Sequence, residues 1–168
     1  PLPLTEEAVR HLAGRVREVQ DVLGRQILVE NLSSYLGFAS SQLAEWEFLA
    51  PVAGRADCSI LLDVNNVHVA AGNRGFSADT YLAALPRERV VQLHIAGFSR
   101  GRELLLDTHG TAIDLAVWRL LELALERFGA PPRRPARLRA VPALAELLDE
   151  ARKASALIAR RVTRDDSE

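Results

Sequence analysis

The chain has 168 residues, no methionine and one cysteine, with 48% apolar and 26% charged residues; this is the composition of a soluble globular domain and excludes disordered and collagenous chains. With 21 basic against 22 acidic side chains the net charge is −1, so the overall balance points to neither a polyanion nor an anionic membrane as partner. No apolar run reaches the roughly 18 residues of a membrane span, and the start Pro1-Leu2-Pro3-Leu4 has no initiator methionine, basic n-region or cleavage site, which suits a processed or partial cytoplasmic chain without a targeting signal.

From Thr5 the pattern is helical. Thr5 suits a cap, Glu6 and Glu7 suit the first turn, Val9, Leu12, Val16, Val19 and Leu23 recur at three- and four-residue steps, and Gly24 ends the run. Gln26 to Asn31 reads as a short buried strand that finishes in polar residues. Ser40 and Ser41 open a helix through Leu43, Trp46, Phe48, Leu49 and Val52, which ends near Gly54. Cys58 to Val64 is a second buried strand, and it too runs into polar groups: Asp63, Asn65 and Asn66. Cys58 has no partner for an internal disulfide and reads as a reduced, buried thiol.

A loop leads to a short helix from Ser77 to Leu85, with Pro86 starting the exit, and Val90 to Ile95 is the third strand. Leu104 to Gly110 reads as a short extended piece and a turn. Asp114 to Phe128 is a helix whose apolar face carries Leu115, Val117, Trp118, Leu121 and Leu125, and Gly129 ends it. Pro131, Pro132 and Pro135, with arginines at 133, 134, 137 and 139, break the pattern where a fourth strand is expected. Val141 to Ala159 is a final helix, and Thr163 to Glu168 a charged, frayed tail.

Strands alternating with amphipathic helices argue for βαβ units and a parallel sheet. The absence of Gly-x-Gly-x-x-Gly and Walker loops favours closure into a barrel over an open nucleotide-binding sheet. A complete eight-stranded barrel takes about 200 to 250 residues, so the expected fold is α/β: a partial TIM (β/α) barrel over residues 1–162 with its early strands missing, followed by a tail at 163–168.

Metal-capable residues fall where such strands end. Glu30 and Asn31 end the first strand, Asp63 and Asn66 follow the second, His94 lies in the third, and Asp107 and His109 come after it. In a parallel barrel these ends converge on one rim. Oxygen and imidazole donors without thiolates favour iron, manganese, zinc or magnesium. Asp63 closes a wholly apolar run, and a buried carboxylate needs a cation, a metal or several hydrogen-bond donors. Glu30 also suits an ion pair with an arginine, His94 a satisfied core histidine, and Asn31, Asn65 and Asn66 caps on loop backbone. His11 and His68 read as surface or packing residues, and Trp46 and Trp118 as core. The arginines between 133 and 139 suit a solvated loop or a peptide-docking patch.

Four segments carry a specific likeness: Glu30-Asn31-Leu32-Ser33-Ser34-Tyr35 with Glu45-Trp46-Glu47-Phe48-Leu49, Leu61-Leu62-Asp63-Val64-Asn65-Asn66-Val67, His94-Ile95-Ala96-Gly97-Phe98, and Leu106-Asp107-Thr108-His109-Gly110. In this order and spacing the sequence resembles the multinuclear non-haem iron-dependent oxidative enzymes, a bacterial family long catalogued as of unknown function. The likeness covers residues 1–130 and, more loosely, the final helix.

The resemblance implies a TIM-type barrel with two or three iron ions at its carboxyl rim, oxidation of cysteine or other residues in ribosomally made precursor peptides by molecular oxygen, and a separate peptide-recognition protein as partner. By position, Glu30 is implied to bind or bridge iron, Asp63 and His94 to be ligands, Asp107 and His109 to complete another iron site, and Asn66 to be a further candidate. Members carry a long segment, with ligand histidines, ahead of the matching part, so one or two irons at most are expected here. Phe98 stands where a second histidine is usual, Asn73-Arg74-Gly75 where Asn-His-Gly is common, and Arg134 to Arg139 in place of a strand ending in a metal-binding glutamate. A cation there would repel iron. Two other readings stay open: a non-catalytic remnant that binds a peptide or protein through open barrel edges, itself included, and a metal-dependent isomerase or hydrolase on a similar barrel.

Overall fold

In the computed structural model, residues 2–129 and 144–165 are described. Helix α1 (Glu6–Leu23) starts under Thr5, whose hydroxyl accepts the Ala8 N–H, and ends at Gly24 in the left-handed conformation. Strand β1 (Leu28–Glu30) leads through a long rim segment to α2 (Glu45–Ala56), then β2 (Ser59–Asp63). Helix α3 (Val64–Arg74) follows β2 with no intervening loop, α4 (Ala78–Ala84) and a 3-10 turn (Arg87–Arg89) lead to β3 (Val90–His94), and a ribbon of β4 (Phe98–Arg100) and β5 (Leu105–Asp107) precedes α5 (Leu115–Phe128) and α6 (Leu144–Asp165).

The main sheet has the order β1-β2-β3 with every pair parallel; β4 and β5 form a separate antiparallel pair. The fold is thus α/β with a parallel sheet and six α-helices, and no closed barrel is present among the described residues. Central β2 contributes Ile60 and Leu62, both fully buried, to a core shared with Val64 and Val67 of α3, Tyr81 and Leu82 of α4 and Trp118, Leu121 and Leu125 of α5. Burial of this apolar surface is the main favourable contribution to folding. Cys58 is buried and unpaired, and burial pushes its thiol pKa up. Among the described residues no helix is long and apolar enough to cross a membrane.

The structure departs from the sequence reading at several elements. Residues 65–76, between the strand ending at Val64 and the helix from Ser77, read as a loop, since Val67 and Val69 are β-branched and poor helix formers. They form α3 instead: the Asp63 carboxylate caps it, accepting the Asn66 N–H at 2.8 Å, and Gly75 closes it at φ +74. Helix α2 starts at Glu45 rather than at Ser40, where the Glu47 carboxylate accepts the Ala44 N–H at 2.8 Å, a stronger start signal than the serines. Residues 98–100 read as loop, yet they pair with 105–107. β1 lies at the sheet edge, so Leu28 is exposed rather than buried. Helix α6 continues to Asp165, past the Ala159 expected from the sequence, and the expected strand and arginine cluster at 133–139 lie outside the described residues.

Leu62 is fully buried in the central strand, and its truncation to alanine should lower the free energy of unfolding by about 3 kcal/mol in urea titrations. Val22, 86% exposed on α1, should tolerate the same change within about 0.5 kcal/mol.

Candidate metal centre

Three neighbouring strands end on three donor side chains. Glu30 is the last residue of β1, Asp63 of β2 and His94 of β3. Their alignment depends on one irregularity: Ile60 pairs with Val90 but Leu61 pairs with Gln92, so β3 accommodates one extra residue and Asp63 faces His94. Without that slip Asp63 would face Leu93. A bulge beside a site is a known means of re-aiming a side chain.

One ligand atom from each of Glu30, Asp63 and His94 lies within 4.8 Å of the others. His94 Nδ1 stands 2.8 Å from Asp63 Oδ2 and 3.3 Å from Glu30 Oε1. Asp63 Oδ2 is buried, and the His94 ring is the group that approaches it. The other oxygen, Oδ1, caps α3. Asp63 therefore divides its two oxygens, one fixing the helix and the other set against His94 Nδ1 at the rim. Close approach of the Asp63 carboxylate, aided by its charge and by Glu30 and opposed by burial, lifts the His94 pKa to about 8.

A second pair adjoins the first group. His109 Nε2 lies 2.9 Å from Asp107 Oδ1, and the His109 and His94 rings meet edge to face with centroids 5.5 Å apart. His109 occupies the left-handed region at φ +53, which is uncommon for a residue with a side chain, and its N–H donates to the Gly97 carbonyl at 3.0 Å. Its Nδ1 is buried without a hydrogen-bond partner. Burial raises the Asp107 pKa, and the nearby Asp63 charge adds to that, against the lowering influence of His109, the Asn65 hydrogen bond and His94. Carboxylates and imidazoles gathered at one rim, with buried unpaired nitrogen and oxygen atoms among them, form a donor set that fits a divalent cation of the iron or manganese type.

The asparagines hold this group rather than crowd it. Asn31 Oδ1 accepts the Asp63 N–H at 2.7 Å and Nδ2 donates to the Asp63 carbonyl at 3.0 Å, a two-point clamp on the backbone of the central acid. Asn66 Nδ2 donates to the Asn31 carbonyl at 2.9 Å while its Oδ1 is buried and unpaired. Asn65, fully buried, donates to Asp107 Oδ1 at 2.9 Å. Of the six residues singled out in the sequence, Glu30, Asp63 and His94 meet directly, Asp107 and His109 pair beside them, and Asn66 sits behind Asp63. Of the two histidines set aside, His11 is exposed, and His68 packs against Phe98, where burial lowers its pKa. Sequence reasoning missed Tyr35, whose phenol oxygen accepts the Asp107 N–H at 2.9 Å. It missed Glu45 as well, a half-buried acid whose pKa burial raises, held by Ser34 and Tyr81. Both lie in quoted segments, but a contact across such sequence distances leaves no local periodicity to read.

In chelator-treated protein His94 should give a specific pH dependence. Its folded pKa of about 8 exceeds the ordinary 6.5, so its stabilisation is fully present below pH 6.5 and is lost as pH climbs through 8. Urea titrations should show roughly 1–2 kcal/mol lost by about pH 9, and His94→Gln should remove that portion of the slope. Metal affinity should run the opposite way, rising with pH over the same interval, because a ligand imidazole must be unprotonated.

The profile of the family described as "RiPP precursor modification enzyme MbnB/TglH/ChrH" matches residues 1–159. The chain is 53% identical over 155 residues to a UPF0276 protein of Anaeromyxobacter sp. (strain Fw109-5), covering 92% of this chain and 55% of that protein. It is 47% identical over 150 residues to a UPF0276 protein of Rhizorhabdus wittichii, covering 89% and 54%. A UPF0276 protein of Vibrio parahaemolyticus is 44% identical over 167 residues, covering 97% and 58%. The chain thus spans a little over half the length of these relatives. Profile and relatives agree, and the chain belongs to the MbnB/TglH/ChrH family of RiPP precursor modification enzymes, a family of non-haem iron enzymes.

Proposed function

We propose that this chain supplies much of the metal-binding rim of a non-haem iron enzyme that uses molecular oxygen to modify cysteine or other residues of a ribosomally made precursor peptide. The observation that carries the reading is the convergence of Glu30, Asp63 and His94 at the carboxyl ends of three adjacent parallel strands. The parallel β1-β2-β3 sheet with its covering helices supports placing that rim on part of a TIM-type barrel. A separate peptide-recognition protein is the expected partner, and the cytoplasm the expected compartment.

Held by Glu30, Asp63 and His94, iron would supply the redox chemistry toward oxygen that side chains lack. Asp63 and His94, largely withdrawn from water, present an anionic oxygen and an imidazole nitrogen from fixed strand ends. Glu30, 43% exposed at the sheet edge, closes the group from its open side, where further donors and the peptide have access. Asp107 and His109 offer a second oxygen and nitrogen pair beside the His94 ring. Asn31 and Asn65 fix these acids without adding charge, leaving their negative charge to compensate a cation.

Anaerobic loading with iron(II), desalting and elemental analysis should give at least one iron per chain. Asp63→Asn keeps the oxygen that caps α3 but removes the anionic ligand, and it should lower retained iron at least about tenfold without unfolding the protein. His109→Ala should reduce content while sparing the Glu30–Asp63–His94 group. Oxygen uptake should require both iron and a cysteine-containing peptide. A folded chain that retains no iron would overturn the reading in favour of a peptide-binding remnant, and sugar or phosphoester turnover without oxygen uptake would favour an isomerase or hydrolase.

A further inference from the structure

The segment after β1 crosses the rim and is tied down at successive points. Asn31 clamps both backbone groups of Asp63. Ser34 Oγ donates to Glu45 Oε2 at 2.8 Å, and Glu45 Oε1 accepts from the Tyr81 hydroxyl at 3.3 Å. The next residue, Tyr35, packs partly buried against the main core and accepts the Asp107 N–H from 72 residues away. One stretch of chain, 31–35, thus grips the backbone of the acid in each of the two donor groups. The support matters because Asp107 ends a three-residue strand whose sheet partner, β4, is equally short. A ribbon of that size is marginal by itself. Asn73 braces it at the Leu105 end with a pair of hydrogen bonds of 2.8 and 2.9 Å; at the Asp107 end, the phenol of Tyr35 braces the backbone and Asn65 the carboxylate.

We propose that Tyr35 is a positioning residue of the metal centre: by holding the Asp107 backbone, the strap 31–35 fixes the Asp107–His109 pair relative to Glu30, Asp63 and His94, so that a second metal ion binds beside the first. This rests on the reading of Asp107 and His109 as metal donors. Tyr35→Phe retains the packed ring and removes only the hydrogen-bond acceptor, and loss of such an outer support typically costs 10–100-fold in metal affinity.

The test is titration of the 168-residue chain with manganese(II), followed calorimetrically for stoichiometry and by electron paramagnetic resonance for coupling between two ions. The unaltered chain should bind two equivalents with a coupled signal. Tyr35→Phe should hold the first equivalent within about twofold, weaken the second at least about tenfold and lose the coupled signal. Ser34→Ala, which loosens the strap at Glu45 alone, should leave the coupled signal in place. Equal loss of both equivalents in Tyr35→Phe, as general destabilisation would give, overturns the role of Tyr35, and so does an unchanged second equivalent. An unaltered chain that binds only one equivalent overturns the two-group reading and the role of Tyr35 together. Should Tyr35→Phe fail to fold, amide exchange in the unaltered chain decides: strong protection of the Asp107 N–H supports the tie, and rapid exchange overturns it.

Discussion

A carboxylate withdrawn from water at the end of an apolar strand has to be compensated, and Asp63 is where this chain meets that constraint. Burying an ionised acid without partners costs several kcal/mol. Asp63 spends Oδ1 on the first turn of α3, has its backbone clamped by Asn31, and sets Oδ2 2.8 Å from His94 Nδ1. Helix and site are consequently coupled: the cap that starts α3 is also the contact that fixes where the second oxygen points. The direct passage from β2 into α3, the inward placement of Asn65 and Asn66 and the one-residue slip in β3 all serve the same juxtaposition.

Much of the site was legible because a buried strand leaves a clear signature where it stops. The runs Leu28–Glu30 and Ile60–Asp63 are apolar up to their last residue, Val90–His94 is apolar but for Gln92, and a polar side chain at such an end has few structural uses. Parallel topology then dictates that those last residues meet at one rim. What was not legible is equally physical. Helix α3 hid behind β-branched residues whose local preference opposes the conformation that capping and packing impose. The β4–β5 ribbon is too short for period-two alternation to show, and the slip that brings Asp63 opposite His94 is a property of pairing, invisible in either strand alone. The roles of Tyr35 and Glu45 depend on contacts spanning tens of residues.

The two donor groups differ in how they are built. Glu30, Asp63 and His94 sit on the main sheet, whose core side is filled by Ile60 and Leu62, so their spacing is set by strand separation and close packing. Asp107 and His109 sit on a small ribbon and a turn with strained backbone at His109, so their position relies on individual hydrogen bonds from Asn65, Tyr35 and the Gly97 carbonyl. The first group thus rests on the packed sheet, and the second on individual side-chain and backbone ties.

The central claim, that these strand ends form a metal site, is tested most directly by anomalous diffraction from crystals of the chain soaked with iron(II) or manganese(II). The account predicts a peak about 2.0–2.3 Å from a His94 ring nitrogen and from Asp63 Oδ2, with Glu30 turned toward it. A well-occupied peak elsewhere, or crystals in which His94 and Asp63 keep each other as partners at saturating metal, would contradict it.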